Sequence, residues 1–252
     1  MTWILGRCCA LGKLTAVGSL LLFLATSSIA LAHSPAEEQA IKDAEKATPV
    51  VHSFRGCGAF GDETGDRLLN HLKNRVDVPS SYLTVSIDMI VSMRAPKPIE
   101  GQIKREDWRE VDTAFVGQFE GAAITVEGYL AGVRPEGAEK TNCGATQPER
   151  IDFHIWLVGN PPKKMPNSKL NDRRRAVVVE ITPRLRAEHP EWTKTAIQKL
   201  VDQKRRVRVS GWLMLDQDHP EQLRKTRGTL WEIHPVTAIE IFSAGQWRAL
   251  GQ

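Results

Sequence analysis

From about Ala122 to the C-terminus the chain alternates apolar and polar residues with period two, broken by a single stretch of helical period. Successive side chains on a strand point to opposite faces, so this alternation commits each segment to a sheet with one buried side. Residues 123–133 (AITVEGYLAGV) put Ile124, Val126, Gly128 and Leu130 on one face and Thr125, Glu127 and Tyr129 on the other. Residues 152–158 (DFHIWLV) direct Phe153, Ile155 and Leu157 one way and His154 and Trp156 the other. A loop rich in Pro, Lys and Asn leads to a Val-rich strand at 176–182 (AVVVEIT). Residues 192–201 then gather Trp192, Ala196, Ile197, Leu200 and Val201 on one helical stripe. Two strands close the chain, 207–215 (VRVSGWLML) and 229–242 (TLWEIHPVTAIEIF).

Three strands, a helix and two strands is the order of the OB-fold, a small Greek-key barrel. The expected fold is therefore mainly β with α: an OB-fold-like five-stranded barrel (β-β-β-α-β-β) over residues 116–252. Gly128 and Gly211, each inside a strand, suit the sharp bends of a small barrel, and Pro235 in the last strand implies an edge or a bulge. An open α+β sheet and a sandwich short of strands are the competing architectures. Residues 33–115 read as a helical arm and linker. Helix formers fill 36–47, a Gly-rich turn follows, and Leu68, Leu69 and Leu72 share one face over 66–75. Residues 85–93 read as a strand ended by Pro96 and Pro98.

Residues 1–32 have the order of a secretory leader. Arg7 and Lys13 precede the apolar run 16–32, which ends in Ala30-Leu31-Ala32 before the polar His33-Ser34-Pro35. Cleavage after Ala32 and a periplasmic or extracellular mature chain are expected; an uncleaved anchor is the alternative. Cys8 and Cys9 lie ahead of the apolar run, which argues against a lipid anchor. Loss of the leader takes the formal charge from +4 to +2, without the basic excess of a nonspecific nucleic-acid binder. It also leaves two cysteines, Cys57 and Cys143, which are expected to pair in an oxidising compartment. Metal ligation is their alternative use, and no CxxC supports it.

The segments Leu69-Asn70-His71-Leu72-Lys73-Asn74-Arg75, Asp152-Phe153-His154-Ile155-Trp156-Leu157 and Trp231-Glu232-Ile233-His234-Pro235-Val236 resemble a set of exported bacterial proteins of unknown function. In that set a LNxLKNR-like helix precedes a DxHxxL strand and a closing E-[IL]-HPV strand. The resemblance spans roughly residues 54–242 and implies export and one shared fold; it carries no activity across.

Two functions follow from the face opposite the expected core. Period two directs His154, Glu180, Glu232 and His234 outward, and barrel neighbours would gather them on one patch of the outer wall. Two imidazoles with carboxylates form a divalent-metal site or an acid/base pair, to which Asp152, Asp216, Asp218 and His219 could add ligands. Alternatively the histidines are structural hydrogen-bonders, and Glu180 and Glu232 pair with Arg184, Arg206 or Arg208. No HExxH or GxSxG occurs, which disfavours zinc-peptidase and serine chemistry.

The same wall also reads as a binding surface. Trp156 and Trp212, with His154 and Tyr129, would stack ligand rings, and Arg224, Lys225 and Arg227 would supply cations. An oligosaccharide, protein or nucleic acid is the partner class. Burial of the tryptophans under the arm is the alternative. The sequence thus favours an exported binding or interaction module, ahead of a metal-dependent hydrolase built on His154, Glu180, Glu232 and His234.

Overall fold

A computed structural model describes residues 35–43, 46, 48–97, 104–163 and 173–252, and the expected leader lies outside the described residues. Residues 33–252 form one compact unit. Its strands are β1 (Leu83–Val85), β2 (Ala123–Pro135), β3 (Phe153–Val158), β4 (Val177–Ile181), β5 (Arg206–Leu215), β6 (Trp231–Ser243) and β7 (Gln246–Ala249). The helices are α1 (Pro35–Asp43), α2 (Arg67–Lys73), α3 (Ile87–Ser92), α4 (Glu110–Val116), α5 (Pro183–Arg186) and α6 (Lys194–Asp202).

β2 to β6 close into a five-stranded mixed barrel. β2–β3 and β3–β4 are antiparallel, β4–β6 is parallel, β6–β5 is antiparallel, and β5 returns to β2 antiparallel. Between the third and fourth barrel strands lie α5 and the longer α6, which is capped where Thr193 Oγ1 accepts from Ala196 N at 3.1 Å. Ile197, Leu200 and Val201 of α6 pack into the main core. That core is the face the alternation predicted: Ile124, Val126, Leu130, Ile155, Leu157, Val177, Val179, Val209 and Ile233 are all essentially buried. β1 adds a parallel edge to β2, and β7 folds back on β6.

Both strand glycines sit where another backbone comes close. A Cβ on Gly128 would lie 2.6 Å from the Val158 carbonyl oxygen, and one on Gly211 would lie 2.3 Å from that of Pro235. Around Gly211 the β5–β6 register shifts, so Pro235 sits at a bulge rather than at a sheet edge. The expected strand over 85–93 is corrected: the chain leaves β1 at Val85 and enters α3. Ser86 Oγ accepts from Met89 N at 3.1 Å and Asp88 occupies the first turn, a capping arrangement that overrides the β-branched composition.

The arm is tied onto the barrel. Cys57 and Cys143 form a disulfide with Cα atoms 5.7 Å apart, linking the turn before α2 to the loop between β2 and β3. Asn74, at the end of α2, donates to the Thr141 carbonyl at 3.0 Å, and the Thr141 hydroxyl donates to Asn70 Oδ1 at 2.7 Å. Among the described residues no helix is long and apolar enough to cross a membrane.

Candidate metal centre

Strand pairing brings the four predicted side chains together. His154 lies opposite Glu180 across β3–β4, and Val178 lies beside Glu232 across β4–β6, so Glu180 neighbours His234 two residues further on. All four point away from the barrel interior, as the alternation requires. They do not meet solvent, however: His154, Glu180, Glu232 and His234 are 3%, 4%, 0% and 1% exposed. Lys73 of α2 and the loop carrying Glu136, Glu139 and Asn142 close over them, with Asp152 at the start of β3 buried alongside.

Within this enclosure His154 Nδ1 lies 2.8 Å from both Glu180 Oε1 and Glu136 Oε1. His234 Nδ1 is 3.1 Å from Glu232 Oε1 and 3.3 Å from Glu180 Oε2, and its Nε2 is 3.7 Å from Asp152 Oδ2. Asn142 Nδ2 donates to Asp152 Oδ1 at 3.0 Å. Behind Glu232 stands a second charged chain: Arg227 Nη2 donates to Glu232 Oε2 at 2.6 Å, Arg227 Nη1 reaches Asp216 Oδ2 at 3.3 Å, and Lys73 Nζ lies 3.8 Å from the same oxygen.

A pattern emerges in Asp152, Glu180 and His234. In each, one polar atom is engaged and the other, Asp152 Oδ2, Glu180 Oε2 and His234 Nε2, is buried without a hydrogen-bond partner. Each orphaned atom costs about 1–3 kcal/mol. The three residues can bring one ligand atom apiece to within 4.8 Å of the others. Two carboxylate oxygens and an imidazole nitrogen make a donor set for a divalent transition ion. Glu232 supports the cluster from behind: its Oε1 lies 3.1 Å from His234 Nδ1 and fixes the orientation of the ring. Glu232 is thus a positioning residue for His234.

The charge balance points the same way. Arg227 serves Glu232 and Asp216, Lys73 serves Asp216 and Arg134 serves Glu136, which leaves Asp152 and Glu180 facing two histidines, with Glu139 buried beside them. Burial, reinforced by the charges of Asp152 and Glu180, pushes the Glu139 carboxyl up to about 9. Burial and the Glu180 charge also lift Asp152 to about 6, against His234 and the Asn142 hydrogen bond. Glu180 is opposed by burial yet falls to about 2, through its hydrogen bond from His154 and the charges of His234, His154 and Lys73. Burial disfavours charge on His154 and His234, but the surrounding carboxylates outweigh it and raise both imidazoles. For Asp216, Lys73 and Arg227 overcome burial and hold the carboxyl well below its usual range. The cluster holds more acid than fixed cation, and without a metal it compensates by taking up protons.

The other sequence-predicted ligands lie elsewhere. Asp216 is consumed by Lys73 and Arg227, while Asp218 and His219 line a separate polar pocket of about 450 Å³ with Asp66, Lys104 and Lys140. The arginines proposed as carboxylate partners go to other groups: Arg184 donates to Asn74 Oδ1, Arg206 pairs with Glu127 and Arg208 with Glu240. Glu136, Glu139, Asn142 and Lys73 were not singled out from the sequence as parts of this site. Glu136, Glu139 and Asn142 come from the β2–β3 loop, where no period fixes their direction, whereas Lys73 follows Leu69 by one helical turn on the buried face of α2.

The expected stacking residues are covered. Trp212 is 2% exposed, donates Nε1 to the Asp77 carbonyl at 2.9 Å, and carries the Arg75 guanidinium 3.5 Å from its ring. Trp156 is buried in a small cluster with Ala131, Val158, Ala176 and Val178, with Arg173 3.7 Å from its ring centroid and Tyr129 packed alongside. Arg227 is wholly buried in its carboxylate pairs, while Arg224 and Lys225 are exposed on the loop before it. These residues do not form one open groove.

No protein-family model matches the chain, and no curated protein does.

Proposed function

We propose that the chain is an exported metal-binding protein, whose OB-like barrel holds a divalent cation on Asp152, Glu180 and His234 beneath the N-terminal arm. The observation that carries this reading is that Asp152, Glu180 and His234 bring one potential ligand atom apiece to within 4.8 Å of one another, and that each also holds a buried polar atom with no hydrogen-bond partner. A dication placed among the three residues offsets the acid excess. The mixed nitrogen and oxygen donor set favours Zn²⁺ or Mn²⁺ over Mg²⁺ or Ca²⁺, which prefer all-oxygen shells. Export is supported by the leader-like segment 1–32 and by the Cys57–Cys143 disulfide, a bond at home in an oxidising compartment.

Metal content of the chain purified from the periplasm without chelator tests this, beside Asp152→Asn and His234→Ala. At least one tightly held ion in the native protein is expected, with its loss in both variants while circular dichroism is unchanged. A native protein that neither carries metal nor takes up added Zn²⁺ sinks the reading. Metal-dependent hydrolysis is the second reading, favoured by Glu136: its side chain is 14% exposed, so the cluster has one edge near solvent through which water and substrate could reach a metal.

A further inference from the structure

A second convergence adjoins the first and shares one residue with it. Glu136, His154 and Glu180 also bring one potential ligand atom apiece to within 4.8 Å of each other. Glu180 belongs to both groups, and its two oxygens face different ways: Oε1 lies 2.8 Å from His154 Nδ1, and Oε2 lies 3.3 Å from His234 Nδ1. We infer that Glu180 is a bridging carboxylate and that the protein holds two divalent ions, one on Asp152, Glu180 and His234 and the other on Glu136, His154 and Glu180. This inference rests on the single-ion reading above and extends it.

His154 Nδ1 has carboxylate oxygens from both Glu136 and Glu180 at 2.8 Å. An imidazole N–H lies along one line, so a proton aimed at one oxygen leaves the other poorly served, and the two oxygens repel each other across the same nitrogen. A cation among the three bonds to all of them. His154 is nine-tenths or more buried and its Nε2 has no partner, so no hydrogen bond from the far side of the ring explains its placement. Arg134 Nη2 donates to Glu136 Oε1 at 2.8 Å from the solvent side and orients this carboxylate toward His154. Carboxylate-bridged ion pairs of this kind typically sit about 3.5–4 Å apart.

Manganese serves as the probe, because two bridged Mn²⁺ ions couple magnetically and an isolated one does not. The full chain, expressed with its own leader and kept oxidised, is loaded with Mn²⁺, desalted, and examined by elemental analysis and electron paramagnetic resonance, beside Glu136→Gln. Two ions per chain with an exchange-coupled spectrum are expected in the native protein, and one ion with an uncoupled six-line spectrum in the variant. One uncoupled ion in both proteins overturns the second site and leaves the first standing. No bound ion overturns both, and two ions retained in a folded Glu136→Gln overturn the assignment of Glu136. Should that variant fail to fold, the count and coupling in the native chain decide by themselves.

Discussion

Removing the disulfide should destabilise the protein by an amount its position fixes. Cys57 and Cys143 are 86 residues apart, so the bond closes a long loop in the unfolded chain. The chain-entropy relation gives ~4.6 kcal/mol at 25 °C for a loop of that length. For a domain of this size each kcal/mol moves the midpoint by roughly 2–4 °C, so Cys57→Ser/Cys143→Ser should melt about 9–18 °C below the oxidised protein. The loss also reaches the Asp152 cluster. Cys143 follows Thr141, which holds α2 through Asn70 and Asn74, and Asn142, which donates to Asp152 Oδ1. The double variant should therefore bind Zn²⁺ more weakly than the oxidised native chain. Urea titration gives the stability and isothermal titration the affinity; the reduced native chain controls for the serine hydroxyls. A stability loss below about 1 kcal/mol would refute the loop-closure argument. Unchanged Zn²⁺ affinity would refute the claim that the tether holds Asn142 against Asp152.

Three further outcomes follow from the buried charges and the barrel bends. Glu232→Met strips Arg227 of its closest carboxylate inside the wall and should cost about 3–5 kcal/mol, with Glu232→Met/Arg227→Met costing clearly less; a simple sum of single costs in urea melts would show the pair is uncoupled. Gly211→Ala places a methyl 2.3 Å from the Pro235 carbonyl and should lose about 1–3 kcal/mol, so a neutral result in thermal melts would contradict the close approach at the bulge. In the presence of chelator, stability should fall as pH rises from about 4 to about 9: Asp152 at about 6, Glu139 at about 9 and the raised His154 and His234 all bind protons more tightly folded than unfolded. Added Zn²⁺ should reverse that trend, because metal displaces the same protons; denaturation at pH 5 and pH 8, with and without metal, checks both signs.

The alternation along β2 to β6 made the barrel strands and their inward faces legible, because period two ties every residue to a face. Thus Ile155 and Val179 face inward while His154 and Glu180 face the other way. Asp152 was legible as a neighbour of the cluster, two residues before His154 and on the same side. What period two cannot show is what lies beyond the outer face. His154, Glu180, Trp156 and Trp212 point out of the barrel, yet all four are buried: Asp77 and Arg75 of the arm cover Trp212, and Arg173 and Tyr129 pack on Trp156. Glu136, Asn142 and Lys73 enter the site through that arm and loop, so their roles depend on tertiary packing that no local pattern encodes. The 85–93 segment illustrates the opposite failure: its β-branched composition suggested a strand, and the Ser86 cap decided for a helix.

The arm also explains why a barrel would carry such a cluster on its outside. An acid-rich patch on an open wall would be hydrated, and its ion would be held weakly against water. Enclosing it raises the cost of every unpaired polar atom, and with it the gain when a dication arrives. Arg227 and Lys73 neutralise the Glu232–Asp216 side and Arg134 pairs with Glu136, which confines the carboxylates lacking a fixed cation to Asp152, Glu180 and the upward-shifted Glu139. The fixed cations thereby direct where a metal binds as much as the carboxylates do. Accordingly, Lys73→Met should loosen the Asp216 end and cost stability, while leaving Asp152, Glu180 and His234 able to take up an ion. Loss of Zn²⁺ binding in a folded Lys73→Met, read by isothermal titration, would place the metal on the Lys73 side of the cluster instead.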